Sequence, residues 1–141
     1  MPKGDPPYFI LIDRAFRDEG TSFHYLPPSD FAELDPEMCD RLQDAFTASP
    51  EPVYTGATWT TDAPFRETPT SIEAARHEAV LAVEMEAAAL YAFADARQKP
   101  VVCFAHVTNQ MATIEGDFEK GAFAGSPTSL DVIKTAATAL L

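Results

Sequence analysis

Ala82-Val83-Glu84-Met85-Glu86-Ala87-Ala88-Ala89-Leu90-Tyr91 is the stretch on which the reading of this chain turns. Val80 to Met85 is a short apolar run that reads as a buried strand. Ala87 to Arg97 is rich in Ala, with Leu90, Tyr91 and Phe93, and reads as a helix. Glu86 therefore falls at or just before a helix N-terminus, where unpaired N–H groups and the helix dipole favour a negative charge. A carboxylate kept ionised there can accept hydrogen bonds from paired hydroxyls, as a sugar diol offers. Glu84 and Glu86 are two residues apart and point the same way in a strand. Their apolar setting predicts exposure for neither. An unpaired buried carboxylate is costly, so Glu84 is expected to find an internal donor.

Working outward from this stretch, Tyr8 to Ile12 has a buried-strand pattern, and Arg17 to Ser29 is a polar and aromatic loop ending at a Pro pair. Asp35 can cap a helix that begins at Pro36 and runs to about Ala48, with Met38, Leu42, Ala45 and Phe46 as its apolar face. Val53 to Thr61 is a Thr-rich strand, Asp62 to Pro69 a loop, and Ser71 to Glu78 a short helix. Val101 to Val107 reads as a further strand. The strand, helix and strand from Val80 to Val107 then predict a βαβ unit with parallel pairing and a right-handed crossover. Gly121 to Pro127 reads as a linker. Leu130 to Leu141 reads as a terminal helix with Leu130, Ile133, Ala136, Ala137, Leu140 and Leu141 facing inward.

Ligands of open α/β sheets bind outside the carboxyl ends of the strands. Three such ends follow from this reading, and the topology predicts that they share one cleft. The first carries Thr60, Thr61, Asp62 and Phe65. The second carries Met85 and Glu86, and the third carries Thr108, Asn109 and Gln110.

The 141 residues suit a single domain, 1–141, and 46% hydrophobic residues are enough for one globular core. Ten Lys and Arg against 22 Asp and Glu give a net charge of −12, a field that repels nucleic acid and anionic membranes. A phosphate site would have to be a local cationic pocket. Cys39 and Cys103 stand alone, with no CxxC pair, so neither a zinc site nor a disulfide scaffold is expected. His24 and His106 read as packed histidines and His77 as an exposed one. No metal site is expected. The chain shows no signal-peptide pattern and no apolar run long enough to span a bilayer, which predicts a cytoplasmic protein.

Taken together, these segments resemble the nucleoside phosphorylase family of uridine and purine nucleoside phosphorylases. Val83-Glu84-Met85-Glu86-Ala87-Ala88-Ala89-Leu90-Tyr91 is the most specific match and is similar to that family's ribose-binding segment. Trp59 to Thr68 is similar to the base-side loop of its uridine phosphorylase-like members. Arg17 to Pro28 and Ala105 to Asn109 also fit. The likeness covers the second half of the family only, because nothing in the chain matches the N-terminal phosphate-binding elements.

The resemblance implies a three-layer αβα sandwich on a mixed sheet, and phosphorolysis of a ribonucleoside to free base and ribose 1-phosphate. Phosphate would be a co-substrate, with no cofactor and no metal. Glu86 would grip the ribose hydroxyls, with Glu84 beside it and Met85 on the sugar face. Phe65 would pack on the base, and Thr61 and Arg66 would contribute from the same loop. Thr108, Asn109 and Gln110 would line the polar edge of the base. Hexameric purine nucleoside phosphorylases carry an acid where this chain has Asn109. An amide donates a hydrogen bond but no titrating proton, and this mildly favours a pyrimidine. Full-length relatives imply a homo-oligomer and a fragment incomplete alone. Two other readings stand beside this one: a nucleosidase using water instead of phosphate, and a nucleoside-binding or oligomeric module without catalysis.

Overall fold

The computed structural model describes Lys3 and residues 6–50, 52–108 and 126–141. Tyr8–Asp18 (β1) is its central strand, and Tyr8 to Ile12 are at most 3% exposed. Such a run, apolar at every position rather than alternating, belongs to a strand covered on both faces. The sequence reading ended it at Ile12. The strand continues through Asp13, Arg14 and Arg17 because its partners do: Phe31–Glu33 (β2) and Phe104–Val107 (β5) share one edge, and Val53–Thr61 (β3) lines the other. A bulge between Ile12 and Ala15 shifts the register with β3 midway.

Val80–Glu84 (β4) pairs with β3, giving the order β2-β1-β3-β4 with β5 beside β1. β1, β3 and β4 run parallel, whereas β2 and β5 are antiparallel to β1. The sheet is therefore mixed. Pro36–Phe46 (α1), Ala87–Arg97 (α3) and Ser126–Leu140 (α4) contribute to the core that covers Tyr8 to Ile12, and Pro69–His77 (α2) packs near Ala57, Trp59 and Val80 in a second cluster. This is an α/β fold with helices on both sides. Helix starts follow their caps: Asp35 accepts from Met38 N at 3.0 Å and Thr68 from Ser71 N at 3.2 Å, each followed by Pro at the first helical position.

The predicted βαβ unit is not formed. β5 pairs antiparallel with β1, on the opposite side of the sheet from β4. The reason lies in the path of α3. Its first turn is bonded to β3 (Ala88 N to Thr60 Oγ1, 3.0 Å), its middle to β1 (Tyr91 OH to Ile12 O, 2.5 Å), and its last turn lies over β2. A helix that crosses the sheet obliquely delivers the next strand to the far edge. α4 also turns a different face inward from the one expected. Val132 and Ala136 are its buried residues, while Leu130 (65%) and Ile133 (58%) are exposed, as are Ala137 and Leu141. The helix is apolar on two stripes, and only one of them packs on the core. No helix among the described residues is long and apolar enough to cross a membrane.

Candidate functional site

The carboxyl ends of β1, β3 and β4 meet, because Arg17 pairs with Thr60 and Thr60 with Glu84. Here β4 turns directly into α3, with Glu86 as the residue that caps the helix. The carboxylate bonded to the backbone is that of Glu84. One of its oxygens accepts from Glu86 N at 2.8 Å and Ala87 N at 2.6 Å. The other accepts from Thr58 Oγ1 at 3.1 Å and from Thr60 Oγ1. Thr60 in turn accepts from Ala88 N. Three successive N–H groups that no helical carbonyl can reach are thus satisfied by two side chains from neighbouring strands. The expectation of an internal donor for Glu84 holds, with four donors in place of one.

Glu86 makes no side-chain bond to the helix and is exposed, against the expectation that its apolar neighbours would bury it. Those neighbours, Ala87 and Ala88, face the sheet, and the turn at the helix start rotates Glu86 and Met85 (49% exposed) outward. Phe65 (86% exposed) and Arg66 stand exposed on a single 3-10 turn, Pro64–Arg66, just after β3. The loops after β3 and β4 leave adjacent strands, so these four side chains occupy the same end of the sheet. Thr61 is at this end but fully buried, with its hydroxyl accepting from Ala63 N at 3.1 Å. It closes a turn.

Thr108 lies elsewhere. Val107 is paired with Tyr8, so β5 leaves the sheet at the beginning of β1, roughly 25–30 Å along that strand from Arg17. The single cleft expected of three carboxyl ends is therefore not formed by Thr108, because an antiparallel strand ends at the opposite side. Asn109 and Gln110 lie outside the described residues.

The loop after β1 forms a wall of this end of the sheet. Arg17, 5% exposed, donates to Ser22 Oγ, Ser29 Oγ, Pro27 O and Leu26 O, and its guanidinium lies 4.2 Å from the Phe23 ring centroid. It is no solvated turn residue. Asp18 accepts from Trp59 Nε1 at 2.9 Å, and Glu19 accepts from Thr21 N and Ser22 N. His24 is exposed rather than packed, and His106 stacks on Phe9 at 4.3 Å. A separate cavity of about 560 Å³ lies between β2, the start of α1 and the last turns of α3, lined by Glu33, Asp35, Asp95 and Lys99 among others. None of the predicted site residues lines it.

Thr58 did not stand out in the sequence, and Thr60 was expected at the strand's carboxyl end but not as a partner of Glu84. The signal was present as Thr at alternate positions of a strand whose parallel neighbour ends in Val-Glu, which puts hydroxyls and carboxylate on one face. That alignment needs the register of β3 against β4. Among the described residues no group of three or more His, Cys, Asp or Glu could hold a metal ion.

The AMP nucleosidase of Bacteroides thetaiotaomicron VPI-5482 has a similar structure, with a TM-score of 0.70 and 21% identity over 94% of this chain and 55% of that one. At such identity the likeness shows the fold. The present chain spans about half of that protein's length. None of the curated proteins matches it. A family model described as the phosphorylase superfamily matches residues 2–138, which takes in all five strands of the sheet and the Glu84–Glu86 turn. By that match the chain belongs to the phosphorylase superfamily.

Proposed function

We propose that this chain binds a ribonucleoside at the joint carboxyl end of β3 and β4 and serves phosphorolysis of its N-glycosidic bond. The carrying observation is the division of labour between two glutamates. Glu84 is held by four hydrogen bonds, whereas Glu86 stands exposed beside exposed Met85, with its main chain fixed at a helix N-terminus. Glu86 would accept from the two ribose hydroxyls, Met85 would cover the sugar face, and Phe65 and Arg66 would meet the base. As the C1′–N bond breaks, its electron pair leaves with the base and the sugar acquires oxocarbenium character. A phosphate oxygen then bonds to C1′. A carboxylate on the ribose hydroxyls favours this cationic sugar more than the neutral ground state. Phe65 presents a ring to the base, and the guanidinium of Arg66 suits the developing charge of an anionic base.

Hydrolysis is the second reading, favoured by the fold shared with an AMP nucleosidase. Water would then replace phosphate at C1′, and base release would not depend on added phosphate. Calorimetric titration of uridine and adenosine into the wild type and Glu86→Gln tests the common part. Loss of affinity by about tenfold or more is expected for the variant, as for a lost hydrogen bond to a charged group. Equal affinity in both proteins would remove Glu86 from the site.

A further inference from the structure

We infer that Thr58, Thr60 and Glu84 are positioning residues that aim Glu86, and that Glu84 itself does not touch the nucleoside. The inference rests on the pentose-binding reading above and assigns the way that grip is built. An ionised carboxylate offers about four lone-pair directions. All four are taken in Glu84, two by strand hydroxyls and two by the N–H groups of Glu86 and Ala87. No acceptor capacity remains for a sugar hydroxyl.

The same bonds fix the neighbour. Glu86 is held through its own N–H by Glu84, and its carbonyl accepts the first helical bond from Leu90 N at 3.1 Å. Thr60, fully buried, links Glu84 to Ala88 N and so ties the helix start to the middle of the sheet. With the main chain pinned on both sides, the direction in which the Glu86 side chain leaves is set by β3. The negative charge of Glu84 also fills the anion-favouring end of α3. An external phosphate is thereby excluded from that helix terminus and must be held by other groups.

Thr60→Val keeps the shape and deletes the hydroxyl, and Thr60→Ser restores it. Uridine and 2′-deoxyuridine are titrated into the wild type, both variants and Glu86→Gln, and amide hydrogen exchange is followed at Ala87 and Ala88. In Thr60→Val the Kd for uridine should rise about tenfold, as for loss of a charge-assisted bond. The preference over 2′-deoxyuridine should shrink, and Thr60→Ser should recover both. A Thr60→Val protein with a lower melting temperature but unchanged preference has lost only stability, and the positioning role is overturned. If Glu86→Gln leaves uridine binding intact, or the wild type binds none, the pentose-binding reading fails instead. Exchange then still decides on the clamp: unaltered rates at Ala87 and Ala88 in Thr60→Val overturn it, and faster rates recovered by Ser uphold it. Should Thr60→Val not fold, Thr58→Val removes one bond of the four and is read in the same way.

Discussion

The Tyr91 phenol, 1% exposed, joins three elements with one oxygen: it donates to Ile12 O in β1 and accepts at 3.1 Å from Cys103 N at the approach to β5. In the sequence Tyr91 reads only as an apolar helix position, because nothing local shows where its hydroxyl goes. Burial raises the phenol above its ordinary value of 10.0 and pushes the Cys103 thiol from 9.0 up to about 12, with the charge of Glu84 adding to the latter. Both groups hold their protons more tightly folded than unfolded, so their contribution is intact below the unfolded value and lost as pH rises. The melting temperature should therefore fall as pH climbs from 9.0 towards about 12. The early part of that fall should shrink in Cys103→Ser. A melting temperature that stays level across this window would contradict the placement of both side chains.

Gly56 marks a close approach of β3 and β4. This residue lies opposite Ile12 in the parallel β1–β3 pair, and a Cβ added there would come within 2.4 Å of Leu81 Cδ1 and 3.1 Å of its Cγ, in β4. Gly56→Ala should destabilise the protein by about 1–3 kcal/mol through overpacking. Leu81→Ala, combined with it, should return part of the loss. Denaturant unfolding of the two single variants and the double variant measures this coupling, and strict additivity would show that the two side chains do not compete for space. The contact pairs residues 25 positions apart and exists only because β4 docks on β3 in this register. The elements were more legible than their joints. Asp35 with Pro36 and the Ala-rich run located α1 and α3 from local chemistry, whereas α2 begins at Pro69, two residues before the expected Ser71. The three-residue β2 was too short to show a period, and the length of β1 depended on partners far along the chain.

At the scale of the whole molecule, the excess of acids dominates. Twenty-two Asp and Glu against ten Lys and Arg leave −12, and like charges on one small surface repel. Adding sodium chloride to about 0.5 M should raise the melting temperature by a few degrees, since the Debye length then falls well below the spacing of surface charges. A fall with salt would mean that attractive pairs outweigh the repulsion. Glu73 makes exposed salt bridges with Arg76 and His77, which screening weakens little in absolute terms.

From the sequence alone came what depends on neighbours along the chain. It showed an α/β fold, the strand-to-helix turn at Glu84–Glu86, the helix capped by Asp35, and Met85, Glu86, Phe65 and Arg66 as site candidates. What required the tertiary structure was everything set by distant pairing. The oblique path of α3 sends β5 antiparallel to β1 and carries Thr108 away from the other strand ends. The register of β3 against β4 turns Thr58 and Thr60 into partners of Glu84, and frees Glu86 to face outward. Local propensity and spacing act over a few residues, whereas hydrogen-bond partners in a sheet are chosen by burial across the whole chain.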